Sequence, residues 1–306
     1  MKKFIVTTTI NEPTEATYKF SKMKDWTLIV VGDKKTPHES YKGINCIYLH
    51  PKHQQKQYPK VSKLIGWNCI QRRNIGFLEA YRLGADIVAT VDDDNIPYEN
   101  WGKDCYVGQE VEVDAYEKGI GLADPLCIFS ELNFWHRGFP IDFVPFNKNP
   151  TFTGKAIVIP MVQADLWDGD PDIDAYMRIT EKPMLKFESI KPYCFPDQVT
   201  PFNSQNTFLH RDVLPFYAVL PYIGRLDDIW GAYLLQSLKK TPIIFNQATV
   251  YQQRNQHNLF KDLEKEYIGM QHNREMAYTP SLDYPYIPKK TKEFFEAYQA
   301  EYKSML

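Results

Sequence analysis

Apolar residues in this chain come first in short unbroken runs and then at helical spacing. Residues 4–9 are β-branched and apolar, residues 26–31 (WTLIVV) repeat that character before Gly32 and Asp33, and residues 44–49 form a third short run. Each predicts a buried strand. Over residues 69–83 the period changes: Ile70, Ile75, Leu78 and Tyr81 mark the apolar face of a helix that Gly84 ends. Residues 87–91 are again continuously apolar and predict the next strand. Strand–helix alternation of this kind predicts an α/β fold with a largely parallel central sheet flanked by helices.

From about residue 106 to residue 201 the pattern loosens into sequence rich in Pro, aromatics and Asp, read as strands and long loops around the sheet, with residues 156–160 (AIVIP) a buried strand. Order returns with a strand end at 207–209, a helix over 226–238, a short strand over 249–252 and a helix over 259–267. Residues 278–288 carry three prolines and should be extended. The tail, residues 289–306, predicts a helix with Phe294, Phe295, Tyr298, Tyr302 and Met305 along one side. That side could cover the chain's own core or a second copy, so a homo-oligomer stays open. No repeat or low-complexity tract interrupts the pattern, and a single domain over residues 1–306 is expected.

The candidate chemistry lies where predicted strands end. The run IVATVDDDNIP closes on Asp92, Asp93 and Asp94, and adjacent carboxylates at a sheet edge repel one another. Two readings are open: an Asp/Asn-rich turn, or a site for Mg2+ or Mn2+ bridging to a diphosphate. Asp33 ends another strand, and ligands of open α/β sheets sit at such ends. Arg72 and Arg73 stand at the start of the helix that feeds the aspartate strand; each is either a diphosphate partner or part of a solvated helix face. In GRLDDIW, Asp227 and Asp228 open a helix; one is enough for a cap, leaving the other carboxylate and Arg225 free for sugar hydroxyls or acid–base work. Arg137 in LNFWHRGFP lies between aromatics, ordinarily a stacking or ion-pair position. Arg254 and His257 fall in YQQRNQHNLF.

Composition removes several classes. The chain has 306 residues, 43% hydrophobic and 14% aromatic, and 36 basic residues balance 38 acidic ones. It therefore lacks the charge footprint of a nucleic-acid binder. Five cysteines, an odd number without a C-x-x-C pair, point to reduced thiols in a cytoplasmic protein. The apolar start MKKFIVTTTI is too short for a leader and turns polar at Asn11, and no segment approaches membrane-spanning length. TTTINEPT stands where a flavin or NAD enzyme would carry G-x-G-x-x-G, so neither cofactor is expected. No H-x-E or H-E-x-x-H spacing supports hydrolytic zinc.

Taken together, these motifs resemble the GT-A nucleotide-sugar glycosyltransferase fold. Within it they resemble the plant reversibly glycosylated polypeptides, the flavin-independent UDP-arabinopyranose mutases. TVDDD matches that family's TIDDD, RGFP its RGYP, IGRLDDIW its IGRYDDMW, and DLEKEYIGM its NLKKEYKGI, in the same order. TTTINEPT, VVGDKKTP and RRNIG are similar, more diffusely, to STELLO-type glycosyltransferases. The resemblance implies a nucleotide-diphosphate sugar substrate bound at Asp92 and Asp93, and Thr8, Asn11, Asp33, Arg73 and Arg225 are the further contacts expected. It implies Mn2+ or Mg2+ on Asp92 and Asp94, and Arg137 as the counterpart of the mutases' reversibly glycosylated arginine, covalent acceptor or diphosphate clamp, with Asp227 or Asp228 the expected carboxylate beside it in catalysis. The mutases' tryptophan–histidine pair aligns with Gln252 and Gln253, so His257 is the substitute metal ligand to test. The Asp33 region departs from their QDGD, leaving uracil or guanine open. The expected activity is a pyranose–furanose mutase that cleaves and remakes one sugar–diphosphate bond. The alternatives are transfer to a separate acceptor, with Asp227 or Asp228 as base, and a non-catalytic nucleotide-sugar binder.

Overall fold

The strand–helix alternation of the first third positions everything that follows. In a computed structural model describing residues 1–146, 149–254 and 258–306, the strands are Lys3–Thr9 (β1), Thr27–Gly32 (β2), Ile47–Leu49 (β3), Ile87–Thr90 (β4), Asn95–Pro97 (β5), Val111–Glu117 (β6), Thr151–Val158 (β7), Val162–Gly169 (β8), Tyr193–Cys194 (β9), Thr207–His210 (β10) and Ile243–Gln252 (β11). The α-helices are Glu15–Phe20 (α1), Pro51–Gln57 (α2), Pro59–Ile65 (α3), Arg73–Arg82 (α4), Ala175–Thr180 (α5), Asp227–Leu238 (α6), Leu259–Tyr278 (α7) and Lys289–Ser304 (α8).

These strands form one sheet in the order β3-β2-β1-β4-β10-β8-β11-β9-β6-β7, with β5 paired to β11. β1 to β4, β7, β8 and β11 run one way, and β5, β6, β9 and β10 run the other. The fold is thus the expected α/β type, with a mostly parallel central sheet flanked by helices. Chain order reverses at β1, which has β2 and β3 on one side and β4 on the other. The carboxyl ends of strands at such a reversal are where open α/β sheets bind ligands.

Alternate residues of these strands fill two cores, which is why the runs are apolar throughout. Phe4, Val6, Ile29, Val31 and Val88 face the core shared with α4, α6 and α8. Ile5, Leu28, Val30, Ile87 and Ala89 face the one containing Phe20 of α1, Trp26 and Trp101. α4 is buried from Arg73 to Tyr81. Gly76 lets it lie directly on the sheet, since a Cβ there would come 2.3 Å from Val6 Cγ1. The helix start, and with it Arg73, is thereby held at the strand ends.

Several elements depart from the sequence pattern for identifiable reasons. α2 and α3 were not anticipated; each begins at a proline, Pro51 or Pro59, whose missing N–H costs nothing at a first helical position. β8 is buried at every residue although VQADLWDG reads as polar, because Gln163 and Asp165 bond each other and Asp165 also accepts from Thr249. The expected buried strand at 156–160 is corrected: it is the end of edge strand β7, with Ile157 69% and Ile159 52% exposed. It pairs only with β6, so one side faces solvent. β11 and α7 run longer than expected. In α8, Phe294, Phe295, Tyr298 and Tyr302 are buried in the chain's own core. Among the described residues no helix is long and apolar enough to cross a membrane.

α6, which carries Asp227 and Asp228, crosses another backbone at Gly231. A Cβ there would stand 2.0 Å from the Ala218 carbonyl oxygen. Gly231→Ala should therefore cost roughly 1–3 kcal/mol despite its better helix propensity. Gly119→Ala, with nothing within 4 Å of its Cβ, should be near neutral. Urea denaturation of both variants checks this, and equal midpoints would refute the close crossing.

Candidate active site

At the carboxyl ends of β1 and β4 the strands stop and leave an open cavity of about 580 Å³. Its floor is the aspartate turn between β4 and β5. Asn95 shapes that turn: its Oδ1 accepts from the Asp92 N–H at 2.7 Å, and its own N–H donates to the Asp92 carbonyl. Asp92 accepts from Arg73 on one carboxylate oxygen and from Gln205 Nε2 at 2.7 Å on the other. Asp93 Oδ2 accepts from Thr9 Oγ1 at 2.5 Å and Asn11 Nδ2 at 3.0 Å. Asp94 Oδ1 accepts from Gln252 Nε2 at 2.7 Å. Burial, then the neighbouring Asp92 and Asp93 charges, push the Asp94 carboxyl up to about 7.

Arg73 works beneath this floor. Its terminal nitrogens donate to Asp92, the Val91 carbonyl and both the carbonyl and hydroxyl of Ser204. It fixes Asp92 against the Ser204 loop, and four of its five donors are already engaged.

The opposite wall is built around Arg137, almost wholly buried. Its Nε and NH2 form a fork on Asp172 at 2.9 and 3.0 Å, NH2 also reaches Asp228 at 3.0 Å, and NH1 donates to the Arg225 carbonyl. Burial opposes the charge, but Asp172 and Asp228 overcome it and hold the guanidinium well above its ordinary range. Asp228 is further filled by the Ser204 N–H at 2.9 Å and Ser204 Oγ at 3.1 Å. Its neighbour Asp227 is left facing the cavity with Gln71 Nε2 at 2.5 Å. Burial and the adjacent Asp228 raise the Asp227 carboxyl to about 7. The two aspartates at this helix start thereby differ: Asp228 is filled by Arg137 and Ser204, and the Asp227 carboxyl is raised toward neutrality.

The cavity brings together Thr8, Asn11, Arg73, Asp92, Asp93, Asp94, Arg137, Arg225, Asp227 and Asp228, residues up to 220 positions apart in sequence. Asp33 is not among its lining. Its carboxylate accepts from the Lys34 and Cys69 N–H groups, so it braces the wall from behind. Arg225 turns toward α7, donating to Glu266 at 2.8 Å. His257 lies outside the described residues. The sequence reading missed Asp172, Gln71, Ser204 and Gln205. For Asp172 a signal existed: DGDPDID, residues 168–174, is a second cluster of closely spaced aspartates.

Mn2+ or Mg2+ fits the donor set in one specific way. Among the described residues no three His, Cys, Asp or Glu side chains converge on a closed ligand sphere. Magnesium-type sites commonly use one or two carboxylates and take the rest from substrate phosphates and water. Asp92 and Asp94 keep lone pairs beyond the bonds described, each carboxylate offering about four acceptor positions.

No family model matches the chain. It is similar to two probable glycosyltransferases of Arabidopsis thaliana. These are probable glycosyltransferase STELLO1, 26% identical, and probable glycosyltransferase STELLO2, 23% identical, each alignment covering 78% of this chain and 34% of the relative. The chain thus spans about a third of the length of the curated relatives it matches. This similarity accords with the motifs TTTINEPT, VVGDKKTP and RRNIG; the mutase resemblance rests on its own motifs.

Buried carboxyls give stability a defined pH dependence. Asp94, Asp165, Asp174 and Asp227 each titrate near 7 when folded, against about 3.9 in an unfolded chain. Between these values the native state binds more protons, so stability falls as pH rises from about 4 to 7. Asp172 is held low by Arg137 despite its burial, and its contribution is lost only as pH falls below about 4. Thermal midpoints in metal-free buffer should drop from pH 5 to pH 7.5, and Asp227→Asn should flatten the slope. A midpoint rising over that interval would contradict the assignment. Asp172→Ala, which strands a buried guanidinium, should cost about 3–5 kcal/mol at any pH in this window.

Proposed function

We propose that this cavity binds a nucleoside-diphosphate sugar and that the chain transfers the sugar to a hydroxyl acceptor. The carrying observation is that one cavity holds the aspartate turn on its floor and the proton-exchanging Asp227 on its wall. In the proposed step the bond between the anomeric carbon and the diphosphate oxygen breaks, and its electron pair stays on the diphosphate. The acceptor oxygen bonds to that carbon, and its proton passes to the Asp227 carboxylate. Asp92 and Asp94 would hold Mn2+ or Mg2+, which when bound offsets the leaving group's charge. Gln71 fixes the Asp227 carboxylate, and Arg73 and Gln205 fix Asp92.

The finer mutase reading uses the same parts, with the sugar recaptured by its own diphosphate. The surroundings of Arg137 weigh against a version of it in which the guanidine itself takes the sugar covalently. A nucleophilic guanidine nitrogen must shed a proton, and here the cation is clamped by two carboxylates and a carbonyl. Arg137 is better suited to tying the RGFP loop to the start of α6.

The test is incubation with Mn2+ and a panel of UDP- and GDP-sugars, with and without hydroxyl acceptors. Acceptor-dependent release of nucleoside diphosphate is expected. Conversion to a furanose nucleotide sugar without acceptor would favour the mutase, and no turnover or binding of any panel member would reject both. Asp227→Asn should lower turnover by about 10²–10⁴-fold while nucleotide binding persists.

A further inference from the structure

The cavity is lined by Lys265 and four arginines, and the arginines differ in how far their donors are used. Arg73 and Arg137 each place four of five N–H groups on protein acceptors. Arg225 is drawn away by Glu266. Arg254 differs. Its side chain is only 9% exposed and lines the cavity; its Nε, like that of Arg73, has no hydrogen-bond partner among the described residues, but its terminal nitrogens, unlike those of Arg73, have only one long hydrogen bond described, from NH2 to the Pro171 carbonyl.

Its ion pairs are long: Nε to Asp170 at 3.5 Å and NH2 to Asp172 at 3.9 Å, with NH2 also 3.5 Å from the Pro171 carbonyl. Both carboxylates have nearer arginine partners, Arg178 for Asp170 and Arg137 for Asp172. The backbone delivers Arg254 to the metal side of the cavity, since the preceding residue, Gln253, donates its N–H to the Asp94 carbonyl at 3.1 Å. A nearly buried guanidinium with most of its fork unfilled by the described residues, beside a floor of carboxylates, is a poor structural tie and a ready oxyanion receptor.

We propose that Arg254 is the diphosphate-binding cation of this site, giving up Asp170 and Asp172 for the phosphate oxygens of the nucleotide. This rests on the nucleotide-sugar reading and assigns the part of the substrate that the aspartates can reach only through a cation. Asp170 and Asp172 then act as a parking place that keeps the guanidinium near its target when the cavity holds no anion.

Isothermal titration calorimetry on the full chain with Mg2+ tests it, using inorganic pyrophosphate, UDP, GDP, UMP and GMP as probes. Wild type should bind pyrophosphate and at least one nucleoside diphosphate. Arg254→Ala should weaken both by about 10- to 100-fold and leave the monophosphates nearly unaffected, with Arg254→Lys in between. Asp170→Asn should instead tighten diphosphate binding, because it removes a competing carboxylate. If Arg254 were only a structural tie, both the Arg254 and Asp170 variants would weaken binding. That pattern overturns the proposal, as does wild-type affinity in a folded Arg254→Ala, or a wild type that binds no diphosphate. Arg254-dependent pyrophosphate binding with no nucleotide-sugar turnover would sink the transferase reading while leaving this assignment standing.

Discussion

The site depends on one buried cation held between two anions from distant segments. Arg137 joins the RGFP loop to Asp172 after β8 and to Asp228 at the start of α6. Burying three such charges is expensive, and an apolar cluster of similar volume would serve stability as well or better. What the ionic version provides is position. The fork on Asp172 permits little rotation, and the bond to Asp228 sets where α6 begins. Asp227 is the next-door residue, so its place at the cavity follows from an interaction it does not make.

A second constraint comes from the sheet. Chain reversal at β1 opens a crevice at the strand ends, and α4, seated on the sheet through Gly76, delivers Arg73 to it. Arg73 then couples the two sides. It binds Asp92 on the floor and Ser204, and Ser204 in turn binds Asp228 on the wall. Floor and wall therefore belong to one hydrogen-bonded unit that runs from Asp92 through Arg73, Ser204 and Asp228 to Arg137 and Asp172. At its margins in the same cavity lie Asp94, Asp227 and Arg254.

Much of this was legible in the chain itself. β1, β2, β4 and α4 announce themselves by period, and the aspartate turn and the start of α6 are visible as acidic residues after or before apolar runs. What could not be read was the division of labour. Asp227 and Asp228 are identical in sequence terms, and only the burial of Ser204 and Arg137 against one of them separates their roles. That Arg73 ties Asp92 to Ser204, 131 residues away, is equally invisible in the sequence. β8 was hidden because its polar residues satisfy one another out of solvent, and the edge strand at 156–160 looked buried because its exposure depends on a partner strand that never arrives. Such facts belong to long-range pairing and leave no local trace.

The most direct measurement is a crystal structure of the chain with Mn2+ and UDP or GDP, with the metal located by its anomalous scattering. A nucleotide-sugar site of the proposed kind predicts one manganese peak bridging the diphosphate to Asp92 and Asp94, at about 2.1 Å from a carboxylate oxygen, with Asp227 facing the space beyond the terminal phosphate. A nucleotide bound elsewhere, or a manganese peak remote from the aspartate turn, would contradict it.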